Sequence, residues 1–361
     1  MMDKLSRAIL AIVAGLGMQA SAQVGGPPAE LLALDNPHVQ AVMAVQKTVT
    51  PELMKLPGML GTAVGLDEAG QTVLVVYVDR DASTRAEIIR GLPPQIRGVG
   101  VKVELTDKFR AFAAHTAKQT PPIQLGTSGG WSYDLANGYC CGGTLGSLVQ
   151  VNGVQYIMSN YHVFEADIVS GGNNIVANTG DPIIQPGLID VGCNSGNAQV
   201  VGSLVKLISL PNSNVDVSVA QVSSGMVSTN GAILEIGTIS GNTVSASLRQ
   251  GVKKSGRTSG LTSSSISGLN GTISVTYDNE CAGGAAFTKT FTGQIVVANR
   301  YTKFLQAGDS GSLMVENVTT NPRAVGLLYA GSNTSAIANP INEVLTFVGG
   351  KLGGTATMVG N

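Results

Sequence analysis

Gly308-Asp309-Ser310-Gly311-Ser312 is the stretch on which the reading of this chain turns. Glycines on both sides of Ser310 permit a sharp turn that presents the hydroxyl and aims the N–H groups of Gly308 and Ser310 at one point. A serine hydroxyl is a weak nucleophile until a neighbouring imidazole takes its proton. The imidazole in turn needs an acceptor that fixes its tautomer and stabilises its charged form. Taken alone the pentapeptide is also an ordinary surface turn, so its partners decide. Upstream lie Ser159-Asn160-Tyr161-His162-Val163 and Asn214-Val215-Asp216-Val217-Ser218-Val219. The candidate catalytic residues are therefore His162, Asp216 and Ser310, in that order. Asp190 competes for the acid role, and Asp216 is preferred for the apolar strand that follows it. Gly308 and Ser310 are the candidate oxyanion hole, where one donor is typically worth about 3–4 kcal/mol of barrier.

The sequence around these motifs has the grammar of a β protein. From about Trp131 onward, short runs such as Val200–Leu210, Val217–Val222, Thr272–Tyr277 and Gly293–Ala298 alternate with Gly/Ser/Asn turns, which predicts a barrel or sandwich. Near the end Asn339 can cap a helix, Pro340 fits its first turn and Ile341–Phe347 continue it. Charge shifts along the chain: residues 80–110 are rich in it and residues 120–250 nearly bare. That shift predicts a small α+β domain over 27–113, a linker over 114–130 holding Thr120-Pro121-Pro122, and the β domain over 131–361. Within the first, Asn36-Pro37 starts a helix, Met59–Leu66 and Gln71–Asp79 form a hairpin turning at Asp67–Gly70, a helix lies near Ser83–Arg90, and Val99–Leu105 alternates as a strand. His38 and His115 are isolated and are given no chemical role.

Composition narrows the function classes. The 361 residues carry 22 basic and 23 acidic side chains for a net charge of −1, so no basic footprint points to nucleic acid. With only 12% charged and 43% apolar residues, global disorder is excluded too. Residues 1–22 read as a signal peptide: Lys4 and Arg7, then the apolar run Ala8–Leu16, then Ala20-Ser21-Ala22 with cleavage after Ala22. That run is too short for the roughly 20 residues of a membrane span, so no membrane partner is expected and the protein is secreted or periplasmic. Export permits disulfides among Cys140, Cys141, Cys193 and Cys281. Neighbouring Cα atoms lie about 3.8 Å apart, closer than the usual disulfide range, so if both bridges form Cys140 and Cys141 take different partners. Four reduced, buried thiols are the other reading. No Cys-x-x-Cys spacing suggests zinc, and neither a metal nor a cofactor is expected.

These motifs resemble the trypsin/chymotrypsin-like serine protease superfamily, and within it the bacterial secreted α-lytic protease and streptogrisin type. Cys141-Gly142-Gly143-Thr144-Leu145 is similar to the strand before the family's histidine, Ser159–His162 to the histidine motif, Asp216–Ala220 to the aspartate and its strand, and Gly308–Gly311 to the serine motif. Ser255-Gly256-Arg257-Thr258-Ser259-Gly260 resembles the turn typical of the bacterial branch, and Val325–Gly331 the strand that pairs with substrate backbone. The resemblance implies a mainly β fold of two six-stranded antiparallel β-barrels with a C-terminal helix, behind the small α+β domain. It implies a secreted serine endopeptidase acting on a peptide or protein substrate through an acyl-enzyme, with hydrolysis rising across roughly pH 6–7.5 as a histidine base becomes neutral. The implied substrate-binding residues are Phe304, Tyr329, Ala330 and Gly331. Phe304, six before the serine, would form the base of the first pocket and favour an apolar or small side chain there. The chain also departs from the family. Val163 stands where a bridging cysteine often follows the histidine, so Cys141 pairs elsewhere, and Tyr329 stands where many members carry a serine touching the aspartate. No Arg/Lys-Ile-Val-Gly-Gly precedes the domain, so no new N-terminus is expected to pair with Asp309, which braces the oxyanion loop. The N-terminal domain reads equally as a pro-region that assists folding or blocks the cleft and as a retained accessory domain. The alternatives for function are a non-catalytic binding protein on a protease scaffold and a serine esterase.

Overall fold

The computed structural model describes residues 33–106, 108, 114–136, 139–165, 177–277, 287–300 and 303–361. The expected signal peptide and Cys281 lie outside them. Contacts divide the chain into two units, Met1–Arg110 and Ala111–Asn361.

The first unit follows its sequence pattern closely. Helix α1 (Pro37–Leu53) begins where the Asn36 side chain accepts from the His38 N–H at 2.9 Å, satisfying one of the donors a helix start leaves open. Strands β1 (Met59–Leu66) and β2 (Thr72–Asp79) form an antiparallel hairpin, its turn held by the Asp67 carboxylate accepting from the N–H groups of Ala69 and Gln71. Helix α2 (Arg85–Gly91), a short β3 (Gln95–Ile96) and β4 (Val99–Thr106) complete it, with β4 parallel to β2. The sheet runs β1-β2-β4-β3. Val42, Leu74, Val76, Val78 and Ile88 make the core between sheet and helices.

The second unit holds two antiparallel barrels. Strands β5 (Thr127–Trp131), β6 (Gly143–Leu145), β7 (Ser147–Val151), β8 (Val154–Ser159), β9 (Pro182–Gln185), β10 (Gln199–Val205) and β11 (Ser218–Val222) build the first. Between β8 and the rest, one helical turn, α3 (Tyr161–Phe164), carries His162. At one end of this sheet β6 pairs with β5, and further along β7 pairs with β8. Because β6 and β7 are one run bent at Gly146, the sheet closes on itself through that bend. Counting the run as one strand, the ring has six. Strands β12 (Gly251–Gly256), β13 (Gly260–Tyr277), β14 (Phe287–Ala298), β15 (Leu313–Glu316), β16 (Ala324–Gly331) and β17 (Ser335–Pro340) form the second barrel, closed in the order β12-β13-β14-β17-β16-β15. Helix α4 (Ile341–Leu352) follows, and β18 (Ala356–Met358) returns to pair with β7. No helix among the described residues is long and apolar enough to cross a membrane.

Three expectations change. Residues 114–130 are no linker: Ile123 and Leu125 are fully buried, β5 is buried along its length, and the Gln119 side chain ties Gln124 and Thr127 together. Proline and glycine there serve a turn into the barrel, and their composition alone does not separate a linker from a buried edge. The run Val200–Leu210 leaves the sheet at Val205, because the N–H groups of Leu207 and Ile208 turn to the buried Glu165 carboxylate at 2.9 and 3.1 Å. The C-terminal helix forms without Asn339 as its cap, since that side chain is engaged elsewhere (below).

Gly146 carries the closure of the first barrel. Its N–H donates to Met158 O at 3.0 Å, and a Cβ there would lie 2.0 Å from Gly311 O and 2.8 Å from Met158 O. Gly146→Ala is expected to destabilise the protein by about 2–3 kcal/mol through overpacking. Gly350→Ala in α4, where a methyl meets nothing within 4 Å, should stabilise it by about 0.5–1 kcal/mol. Urea unfolding of both variants checks the pair.

Candidate active site

Asp216 precedes β11 and is fully buried, as an ionisable group is only when its polar atoms find partners. Here each does. Its N–H donates to Asn339 Oδ1 at 2.9 Å, and its carbonyl accepts from Asn160 Nδ2 at 2.7 Å. Oδ1 accepts from the Tyr161 N–H at 2.7 Å, while Oδ2 accepts from His162 Nδ1 at 2.7 Å and from the Tyr277 hydroxyl at 2.8 Å. The donors come from α3 and its cap residue Asn160 in the first barrel and from β13 in the second, while Asn339 on β17 accepts from the Asp216 N–H. The imidazole is thereby held through Nδ1, with its side chain 26% exposed. Asp190, the rival acid, is elsewhere: Arg257 donates to it twice, at 2.7 and 2.6 Å, and Ser128 Oγ adds a third bond.

Ser310 sits on a loop pinned to the first barrel. Thr144 N–H donates to Ser310 O at 2.9 Å and Thr144 Oγ1 to Gly308 O at 3.0 Å. Gly311, at φ +92°, passes so close to β6 and β8 that a Cβ would lie 2.2 Å from Ser159 Oγ and 2.4 Å from Thr144 O. A Cβ on Gly143 would meet both Val163, next to His162, at 2.7 Å and Ser310 O at 3.0 Å. The histidine turn and the serine loop thus converge on Gly143. Gly308 also has φ +92°, and the N–H groups of Gly308 and Ser310 have no partner among the described residues, as an oxyanion hole requires.

Asp309 faces the other way and is fully buried. It accepts from the N–H groups of Thr258, Ser259 and Gln306 at 2.9, 3.0 and 2.9 Å, from the Ser259 hydroxyl, and from Lys254 Nζ at 3.1 Å. Lys254, also fully buried, completes its donors on Ser259 Oγ and Gly260 O. Burial pushes the ammonium below the usual lysine range, and Asp309 pulls it back. The brace on the serine loop is therefore internal to the second barrel. On the histidine side, Glu165 is buried three residues after His162. Burial pushes its carboxyl up against the opposing pull of Ser218 Oγ and the Leu207 and Ile208 N–H groups.

A cleft of about 560 Å³ opens beside Ser310, lined among others by Arg300, Lys303, Leu305, Ala330, Gly331 and Asn333. Ala330 and Gly331 are among the residues that line it. Phe304 and Tyr329 do not line it: Phe304 is fully buried with Val252, Ile266 and Leu328, and the Tyr329 ring packs on Phe291 at 4.9 Å. Its neighbours Lys303 and Leu305 do line the cleft, Lys303 exposed and Leu305 largely buried in the same core cluster as Phe304. The basis for an apolar first pocket is thereby removed. Cys140 bridges to Cys193. Cys141 is disulfide-bonded as well.

Three contributors escape a sequence reading. Lys254 had a signal: it shares the buried face of β12 with Val252, and an inward lysine demands an anion. Asn339 and Tyr277 had none, because the first is an ordinary cap residue by its neighbours and the second depends on the length of an 18-residue strand.

The His162–Asp216 pair lies where bonds from both barrels meet, with the Ser310 loop gathered against the histidine turn. Residues 206–339 match the family model of the Nal1 C-terminal domain. No curated protein matches the chain. Solved structures to which it is similar include a glutamic-acid-specific serine protease, at 18% identity over 65% of this chain and 100% of that one, with TM-score 0.41. Protease A of Thermobifida fusca is similar at 17% identity over 62% and 95%, TM-score 0.39, and the chymotrypsin of Cellulomonas bogoriensis at 18% over 66% and 99%, TM-score 0.38. All are distant relatives in sequence.

The buried brace yields a direct test. Lys254→Met leaves Asp309 as an uncompensated buried charge and should cost about 3–5 kcal/mol in urea unfolding. A loss comparable to a surface substitution would place the brace elsewhere.

Proposed function

We propose that this protein is a serine endopeptidase. The observation that carries the reading is the fully bonded Asp216 holding His162 by Nδ1 at 2.7 Å, with the Ser310 loop gathered against the same histidine turn. His162 Nε2 takes the Ser310 hydroxyl proton as Oγ forms a bond to the substrate carbonyl carbon, and the carbonyl oxygen becomes an oxyanion held by the Gly308 and Ser310 N–H groups. The protonated imidazole then gives its proton to the leaving amine as the C–N bond breaks, leaving an acyl-enzyme. Water gives a proton to the same Nε2 as it attacks the acyl carbon; the C–Oγ bond then breaks, the imidazolium returns that proton to Ser310 Oγ, and the carboxylic product leaves. Asp216 stays a carboxylate throughout and stabilises the imidazolium. The reaction needs no cofactor.

The cleft suggests the substrate class. Arg300 and Lys303 contribute two cations to its lining and no lining residue among the described residues is a carboxylate, so a peptide with an acidic residue before the scissile bond is favoured over one with arginine there. The N-terminal unit is the candidate pro-region or accessory domain of a secreted enzyme. A mature form lacking it would keep His115 onward, because His115 Nε2 meets the buried Ser255 hydroxyl at 2.9 Å and β5 follows closely.

Labelling with a fluorophosphonate probe tests the nucleophile without knowing the substrate. The protein should label on Ser310, Ser310→Ala should not, and fluorogenic peptides with glutamate in the first position should be cut faster than those with arginine. Absence of labelling would leave a binding scaffold, labelling without peptide cleavage an esterase, and a preference for arginine would overturn the substrate class.

A further inference from the structure

The chain puts a tyrosine, Tyr329, where the resemblance expects a serine touching the aspartate, and the contact is not made. The Tyr329 ring is buried, and its hydroxyl has no hydrogen-bond partner among the described residues. The place on Asp216 Oδ2 is taken instead by Tyr277, from the far end of β13, at 2.8 Å. We infer that Tyr277, carried on the long β13–β14 hairpin, is a positioning residue: its hydroxyl donates to the Oδ2 that also holds His162 and so sets how strongly that carboxylate draws a proton onto the imidazole.

Three observations support a built arrangement. The Tyr277 ring stacks on Phe287 at 4.9 Å with planes 10° apart, which fixes where the hydroxyl points. The same ring lies 5.7 Å from the imidazole at 56°, walling one side of His162. The hairpin is far longer than barrel closure needs: β13 pairs with β12 only over Gly260–Ser265, yet it runs on to Tyr277 beside β14. Burial first, and then the Asp216 charge, push the Tyr277 hydroxyl well above the usual tyrosine range, so it stays protonated and can only donate here. The same causes raise Tyr329.

One oxygen accepting from two donors divides its charge between them. Removing the tyrosine donor concentrates that charge on the bond to Nδ1, which favours the imidazolium and raises the pH at which His162 loses its proton. Of the other titratable groups near this pair among the described residues, Tyr329 stays neutral, and Glu165 is turned to Leu207, Ile208 and Ser218. Lys289 lies over the Phe291 ring on the hairpin, 5.9 Å from its centroid.

The inference deepens the protease reading and rests on it, but its test does not need activity. Tyr277→Phe keeps the ring and its stacking and deletes only the hydroxyl. The His162 imidazole is titrated by NMR in histidine-labelled protein, assigned with His162→Gln, alongside the pH dependence of Ser310 labelling. The midpoint should rise on the order of half a pH unit in Tyr277→Phe, and the acid limb of labelling should move with it. Tyr329→Phe, which deletes a hydroxyl without a partner, should leave the midpoint in place. Superimposable titrations of wild type and a folded Tyr277→Phe would overturn the inference, as would an equal shift in Tyr329→Phe. If wild-type Ser310 fails to label while the midpoint still moves, the protease reading fails and the role of Tyr277 toward His162 stands.

Discussion

One buried carboxylate organises the centre of this protein. Taking an ion out of water costs several kcal/mol unless each of its polar atoms is met by a partner. Asp216 meets that demand with donors from α3 in the first barrel and from β13 in the second, while Asn339 on β17 holds its backbone N–H. The barrels therefore cannot shift past one another without breaking a bond to a buried charge. Asn339 illustrates the cost: its side chain also donates to Gln294 Oε1 at 2.7 Å, so the helix behind it starts without a side-chain cap. A helix cap is worth about 1 kcal/mol, less than an exposed bond at Asp216 would lose.

Asp309 plays the matching part for the serine loop. It is surrounded by the turn that follows β12 and by Lys254 from within that strand, so the loop is braced by residues already in place once the second barrel closes. Arg257, in the same turn, is committed to Asp190. The two anions divide the work: one holds the His162 imidazole, and the other holds the loop that carries Ser310. Thr144 and the glycines at 143, 146 and 311 let the loop and the histidine turn approach within van der Waals distance.

Much of this was legible before the structure. The helices and strands of the N-terminal unit follow from periodicity, caps and a turn, because each is decided within about ten residues. The three site motifs were legible for a similar reason, since the chemistry of Ser310 demands a base and an acid whose local contexts are distinctive. What escaped depends on the closure of a barrel. Whether 114–130 is a linker or an edge, whether Phe304 faces the cleft or the core, and which tyrosine reaches Asp216 are all set by register across strands distant in sequence. Tyr329 and Tyr277 make the point together: the position expected to touch the aspartate holds a ring that turns to Phe291, and a residue at the far end of β13 makes the bond.

The central claim is that the Asp216 carboxylate orients and charges His162 so that it can activate Ser310. Its most direct test is the rate of Ser310 labelling by a fluorophosphonate in Asp216→Asn, a change that keeps the shape and removes the charge. That variant should fold and label about 10⁴-fold more slowly, the scale on which loss of the correct imidazole tautomer acts. Labelling at or near the wild-type rate in that variant would contradict it.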